Sequence, residues 1–320
     1  MLSRSMTAWA IAIFFVAVLW SHESAFANLA VIDVVEQVSQ ANYTNYLDNR
    51  LYTHSGDNRG FGPEHDLARS NVYAEFASFG LNTSLHSFQY SGSTYYNVVG
   101  AHYGTVRPFD FYILGAHYDS ANNPGADDNA SGSAGVMEAA RVLSQYEFEA
   151  TLVFVAFDRE EQGLRGSAAY AEEHRYENIL GMISMDMISY NGSGSDKARI
   201  YGRDSSAPLK QSLADAISLY GNGLSSEDSG TLGASDHEPF QVEGFQACWL
   251  IEYDVWNNPY YHRLNDSVDT LNYIDYAFAT NMVRSTVGFL ATSAVLIPEP
   301  ATLLLLGFGA VIVKRTCKAC

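Results

Sequence analysis

Basic residues are scarce in this chain. Its 320 residues carry 18 Lys and Arg against 36 Asp and Glu, a formal net charge of −18. That balance argues against a nucleic-acid partner, because phosphate binding needs a basic face. Cysteine is scarcer still, with 3 in all. Cys317 and Cys320 lie in the last four residues, which leaves Cys248 alone in the body and excludes a disulfide framework there. No G-x-S-x-G elbow and no H-E-x-x-H helix occurs. The nucleophilic serine hydrolases and the single-helix zinc peptidases are disfavoured accordingly. With 47% hydrophobic and 17% charged residues, the composition is that of a folded, water-soluble domain.

The two ends read as addresses rather than fold. Residues 1–27 combine Arg4, an apolar run from Met6 to Trp20 and the small-x-small sequence Ala25-Phe26-Ala27. This is the pattern of a cleaved secretory signal peptide, and the run is short for a membrane span. Residues 298–320 open with Pro298-Glu299-Pro300, continue through 13 apolar residues from Ala301 to Val313 and reach Lys314-Arg315. The proline pair breaks any preceding helix, and the basic pair would hold the far end of a short transmembrane helix on the cytoplasmic side. This tail resembles the PEP-CTERM sorting signal of Gram-negative bacteria. The resemblance implies export, membrane contact only through the tail, and processing by an exosortase-type enzyme to a surface or extracellular location. The mature domain is then residues 28–297.

Between the ends, apolar periodicity predicts helices over 31–51, 65–79, 130–146, 164–174, 208–220 and 274–293, and strands over 85–90, 96–102, 111–116, 151–157, 179–187, 198–201 and 247–252. The run Thr151–Phe157 is wholly apolar, as a buried central strand requires. Strands alternating with helices predict an α/β fold, a three-layer α/β/α sandwich around a mixed, largely parallel central sheet. Residues 191–195 and 221–235, rich in Gly and Ser, read as surface loops.

In open α/β sheets, ligands bind beyond the carboxyl ends of the strands. Five segments bring imidazoles and carboxylates to that edge: His117 to Ser120, Pro124 to Asn129, Asp158 to Gly163, Asp186, and Asn258 to His262. Each has a plain structural reading of its own. A lone histidine is commonly structural, paired aspartates commonly cap a helix and paired glutamates commonly face water. Together they supply the ligand types of a pair of zinc ions, in which one carboxylate bridges metals about 3.5–4 Å apart. Glu160 and Glu161 point apart in an extended segment, so one can bind metal while the other faces substrate. Asp119 can accept the second ring N–H of His117.

The segments GAHYDS (115–120), PGADDNASG (124–132), DREEQGLRGS (158–167), SMDM (184–187), SDHEPF (235–240) and NPYYHRLNDSVDTL (258–271) resemble the M28 family of zinc metallopeptidases. The resemblance runs from about residue 28 to 294. It implies that His117, Asp127 and Asp186 hold one zinc and that Asp127, Glu161 and His262 hold the other, with Asp127 as the bridge. It implies Glu160 as general base, Asp119 as the group orienting His117, and Asp236 and His237 as supporting residues. The implied activity is that of a two-zinc aminopeptidase. A metal-bridging hydroxide would attack the first amide bond of a peptide or protein with a free N-terminus.

One feature departs from the family. Relatives often place a Tyr or Arg just before the Ser-Asp-His motif as a donor to substrate or oxyanion, where this chain has Thr231-Leu232-Gly233-Ala234. Tyr190, Tyr260 and Tyr261 are the tyrosines that could substitute. The rival readings are a carboxypeptidase or glutaminyl cyclase on the same fold, and a non-catalytic surface or matrix protein. All five ligand positions and Glu160 are filled, which favours the peptidase.

Overall fold

The computed structural model describes residues 29–297. The expected signal peptide and sorting tail lie outside the described residues. The described residues open with helix α1 (29–35), α2 (Gln40–Asn49) and α3 (Pro63–Ser78). Then come strands β1 (Asn82–Tyr90), β2 (Ser93–His102) and β3 (Arg107–His117), helix α4 (Gly132–Leu143), and strands β4 (Glu147–Phe148) and β5 (Ala150–Phe157). Helix α5 (Arg165–Glu173), β6 (Asn178–Met185), β7 (Lys197–Tyr201), α6 (Ala207–Tyr220) and β8 (Ser225–Asp228) follow. The last elements are α7 (His237–Val242), β9 (Ala247–Glu252), α8 (Tyr276–Ser293) and β10 (Leu296–Ile297).

Eight strands form one sheet in the order β1-β2-β5-β3-β6-β9-β7-β8, and β4 and β10 form a separate pair. The four central strands, β5-β3-β6-β9, run parallel. β1 and β2 pair antiparallel at one edge, β7 runs antiparallel to β9, and β8 is parallel to β7. The expected mixed three-layer sandwich is therefore the fold. Every residue of β5 is buried, because helices cover both faces of the sheet at this strand. Leu114, Leu152, Phe154 and Ile183 face the layer built from α2, α3, α4, α6 and α8. Ile113, Val153, Val155 and Phe157 face the opposite layer, where Tyr170 of α5 and Phe240 of α7 close the core.

The single helix expected over 31–51 is two helices. The first ends at residue 35, and Ser39 caps the second, its hydroxyl accepting from the Asn42 amide at 3.3 Å. The loop expected over 221–235 contains β8, a short, polar edge strand beside β7. Helix α4 is almost wholly buried and rich in small residues, which lets it lie close over the sheet. At its first residue, Gly132, a Cβ would come 2.3 Å from the Met185 carbonyl oxygen. The start of α4 thus abuts the end of β6, and the loops following β3 and β6 are drawn together. Among the described residues, no helix is long and apolar enough to cross a membrane.

Candidate active site

β3 ends in His117, β5 runs into Asp158–Glu161 and β6 runs into Asp186, so the carboxyl edge of three adjacent parallel strands carries the chemistry. His262 joins from the long loop between β9 and α8. Three residues beside these ligating groups have left-handed backbones: Arg159 (φ 61°), Met187 (φ 58°) and His262 itself (φ 56°). Non-glycine residues in that region cluster where side chains are held for function.

Asp128, rather than the expected Asp127, stands at the centre of the cluster. Oδ1 of Asp128 lies 3.4 Å from Nε2 of His117, which is also 3.4 Å from Oδ1 of Asp186. Oδ2 of Asp128 lies 3.0 Å from Nε2 of His262, which is 3.2 Å from Oε2 of Glu161. The two ligand sets, His117-Asp128-Asp186 and Asp128-Glu161-His262, therefore meet in the two oxygens of one carboxylate. Asp127 faces away. One of its oxygens accepts from the amide and hydroxyl of Ser189, at 2.9 and 2.6 Å, and the other from Nδ2 of Asn258 at 2.9 Å. The reason is the backbone. Asp128 (φ −106°, ψ 90°) and Asn129 (φ −133°, ψ 49°) leave helical geometry just before α4, so neighbouring carboxylates diverge.

The donor set fits a pair of zinc ions. Two atoms bonded to one tetrahedral zinc at about 2.0–2.1 Å stand about 3.3–3.4 Å apart, which matches the 3.4 Å separations at His117 better than a charge-assisted hydrogen bond of about 2.7–2.9 Å does, while the 3.0 and 3.2 Å separations at His262 fall between the two. Oδ2 of Asp128 and Oε1 of Glu161 are also buried without a hydrogen bond. Such buried acceptors call for a cation.

Asp119 acts differently from expectation. The ring Nδ1 of His117 donates to the backbone carbonyl of Asp119 at 3.1 Å, and the Asp119 carboxylate stands 3.5 Å away. That carboxylate instead accepts from the amides of Glu160 and Glu161, at 3.1 and 3.3 Å. Asp119 thus carries the backbone of the paired glutamates, while its carbonyl directs Nε2 of His117 into the cluster. Glu160 stands at the cavity wall, with Oε2 3.9 Å from Nε2 of His117.

Several supports escaped the sequence reading. Buried Asp266 accepts from the Asp127 amide at 2.8 Å, the Asp128 amide at 3.2 Å and the Tyr273 hydroxyl at 3.0 Å. It fixes the turn that presents Asp128. Fully buried Arg59 donates to the carbonyls of Tyr118, Pro124 and Gly125 and ties the loop after β3. Asn258 and Asp266 both lie in the segment 258–271, where Asn-Pro and Asn-Asp were visible but had no assigned role. Nothing in the sequence distinguishes Arg59.

The electrostatics follow from crowding acids in a largely buried site. Burial, then the neighbouring Asp128, pushes Glu161 up to about 7. Burial raises Glu160 well above the ordinary carboxyl range, with Asp186, Asp236 and Glu161 adding to it and His117 opposing. Burial raises Asp236 to about 7. Contacts with Asp128 and Glu161 raise His262 to about 10. Burial works against protonation of His117, but Glu160 and Asp186 outweigh it and the imidazole is raised. His237, stacked on Trp249 with centroids 6.0 Å apart, is lowered to about 4 by burial.

A cavity of about 140 Å³ opens on the cluster, lined on one side by Asp128, Glu160, Glu161 and Asp186 and on another by Met187, Trp249, Val255 and Trp256. A larger cleft of about 380 Å³, bounded by Gln40, Tyr190 and Tyr273, holds none of the clustered groups.

An α/β sheet with imidazoles and carboxylates gathered at its carboxyl edge defines a metal-dependent hydrolase. The sequence pattern of peptidase family M28 matches residues 97–287, and the chain belongs to that family. The uncharacterized protein YfbL of Escherichia coli is 30% identical over 270 residues, covering 71% of this chain and 80% of that one. A probable leucine aminopeptidase of Arthroderma benhamiae is 29% identical over 195 residues, covering 56% of this chain and 52% of that enzyme. Among solved structures, the LapA aminopeptidase of Legionella pneumophila is similar with a TM-score of 0.72 at 22% identity, over 83% of this chain and 74% of that one. The glutaminyl cyclase of Porphyromonas gingivalis is similar with a TM-score of 0.67 at 20% identity, over 80% and 99%. At those identities the two structures bear on the fold alone.

Proposed function

We propose that the chain is a two-zinc aminopeptidase that hydrolyses the first peptide bond of a peptide or protein with a free N-terminus. The observation carrying this reading is the meeting of two complete ligand sets in the two oxygens of Asp128, with Glu160 beside them at the cavity wall. His117, Asp128 and Asp186 would hold one ion, and Asp128, Glu161 and His262 the other. Bound there, the metals supply a water of lowered pKa and polarise the scissile carbonyl.

Glu160 receives the water's proton as the water oxygen bonds to the carbonyl carbon and the π pair moves to the carbonyl oxygen. On collapse the C–N bond breaks, and Glu160 returns that proton to the departing amine. Asp119 keeps Glu160 in place through its backbone amide. The substrate's amino group would sit on the Glu161 and His262 side of the cluster, which would select a free N-terminus. We further propose that residues 28–297 are the mature domain. Export by residues 1–27 and exosortase-type processing of residues 298–320 rest on the sequence pattern alone.

The test is a panel of aminoacyl anilides given to purified protein stripped of metal and reloaded with zinc. Activity restored by zinc and absent on N-acetylated substrates is expected. Glu160→Gln should retain zinc yet lose about 10²–10⁴ in kcat, the usual worth of a general base. Near-normal turnover of that variant would overturn the assignment of Glu160. A peptide beginning with glutamine separates the cyclase reading, which predicts ammonia release without a freed amino acid.

A further inference from the structure

A ligating side chain is held by its metal, whereas a general base that binds none is aimed by the protein alone. Glu160 is such a residue: its Oε2 stands 3.9 Å from Nε2 of His117, beyond hydrogen-bond reach. Its aim therefore depends on the backbone around it, and that backbone is held at three points. The Arg159 carbonyl accepts from the Arg165 amide at 3.0 Å. The Glu160 amide donates to Asp119 at 3.1 Å, and the Glu160 carbonyl accepts from the amides of Gly163 and Leu164, each at 2.8 Å. The freedom that remains lies at Arg159, whose φ of 61° is one that residues with a side chain rarely adopt.

The Arg159 side chain removes that freedom. It is buried, with Cζ 4.2 Å from the ring centre of Tyr95 and 4.6 Å from that of Phe61. Its Nη1 donates to the Gly60 carbonyl at 2.6 Å and to Oε1 of Gln162 at 3.3 Å. Tyr95 belongs to β2, and Gly60 and Phe61 to the loop before α3, so two elements outside the β5 loop grip this one side chain. A planar guanidinium suits ring faces and a carbonyl together, where a lysine ammonium would bind only as a point charge. The same short segment reaches the other half of the site. Arg59, next to Gly60, donates to the carbonyls of Tyr118, Pro124 and Gly125 in the loop that leads to Asp128. Residues 59–61 thus tie the loop of Asp128 to the loop of Glu160.

We infer that Arg159 is a positioning residue for the general base: clamped on Gly60, Phe61 and Tyr95, it holds the left-handed turn that sets the Glu160 carboxylate at the cavity wall. Arg159 acts through Glu160 and moves no proton itself. The inference rests on the aminopeptidase reading above, and its experiment separates the two. Wild type, Arg159→Gly, Arg159→Lys, Phe61→Leu and Arg69→Ala are reloaded with zinc, and the bound metal is counted. kcat and KM are then measured on leucyl anilide. Arg159→Gly removes the clamp yet adopts a φ of 61° without steric cost, so it separates the side chain from the turn. Arg69, with Cζ 5.3 Å from the ring centre of Tyr96, controls for the loss of one positive charge.

The expected result for Arg159→Gly is a kcat about 10–100-fold lower at unchanged zinc content, the scale of a catalytic group misplaced by up to about 1 Å. KM should stay within about threefold, because ground-state binding does not use Glu160. Arg159→Lys should recover part of the loss, and Arg69→Ala should show none. Phe61→Leu, at a ring 51% exposed, spares the core and should lose a smaller part of kcat with KM unchanged. Added to Glu160→Gln, Arg159→Gly should cost less than about threefold, since nothing is left to position. A merely structural arginine would cost its full factor in both backgrounds, and that result would overturn the inference. So would Arg159→Gly with kcat within about twofold of wild type, because the turn alone would then suffice. Loss of zinc together with kcat would place the clamp behind Glu161 and overturn it too. Should the Arg159 variants not fold, an unaltered kcat in Phe61→Leu decides against it. An inactive zinc-loaded wild type would overturn the reading beneath it instead.

Discussion

Two neighbouring aspartates divide the work behind the site. Asp128 offers one oxygen to each ligand set, and Asp127 braces Ser189 and Asn258 from behind. Replacing Asp128 by Asn leaves only one oxygen for a bridge, so Asp128→Asn should bind less than a full pair of zincs and lose activity with the metal. Asp127→Asn should keep its zinc and fall within the roughly 10–100-fold loss typical of groups that only orient ligands. Metal counting on both variants decides it. Loss of zinc from Asp127→Asn with retention by Asp128→Asn would reverse the two roles. The sequence could not make this choice. Adjacent residues share a motif, and only the non-helical turn at 128–129 says which side chain enters the site. His117, Glu160, Glu161 and Asp186 stand at or just beyond the ends of well-patterned strands, whereas His262 lies in the long loop after β9 and was pointed to by the family resemblance of its segment. Asp119 was legible as a participant but not in its role, since carbonyl and carboxylate of one residue cannot be told apart by spacing. Asp266 and Arg59 were missed because they act on backbone groups, which leave no trace in sequence.

At the scale of elements, the site depends on how closely α4 approaches β6. Gly132 permits that approach, and any side chain there must displace the Met185 carbonyl oxygen or the side-chain Oδ1 of Asn129, 2.3 and 2.4 Å from a Cβ. Gly132→Ala should therefore cost about 1–3 kcal/mol by overpacking and lower the melting temperature by several degrees. It should also weaken zinc binding, because Asn129 and Met185 lie next to Asp128 and Asp186. Melting with and without zinc tests this, and an unchanged stability in both states would refute the close approach. The central parallel strands were legible for a related reason. β5 and β6 are apolar runs that only a doubly covered sheet can hide. β8 was not legible, since its sequence Ser-Ser-Glu-Asp has no apolar face and its pairing with β7 is made by backbone alone. α7 is a single short helix at the Ser-Asp-His segment, too brief for periodicity to reveal.

For the whole molecule, the decisive quantity is the charge packed at one sheet edge within a chain of net charge −18. Without metal, the folded state holds protons that the unfolded chain releases. Glu161 and Asp236 titrate at about 7 and His262 at about 10 when folded, against ordinary values of about 4 and 6.5. All three are raised, so their shared contribution is fully present at low pH and is lost as pH rises through the folded values. Stability of the metal-free protein should accordingly fall from about pH 5 to pH 10. His237 works the other way. Its value is depressed to about 4 by burial, so it removes stability as pH falls from 6.5 through 4. Zinc replaces the protons as counter-charge, and its ligands bind it deprotonated. Zinc loading near neutral pH should therefore release protons, stabilise the fold and flatten the alkaline decline. Urea unfolding across pH, with and without zinc, measures the slope. Calorimetry in buffers of different ionisation enthalpy measures the released protons. Metal-free stability that rises between pH 6 and pH 9, or zinc binding that releases no protons, would mean that the cluster does not carry the burden of charge its geometry implies.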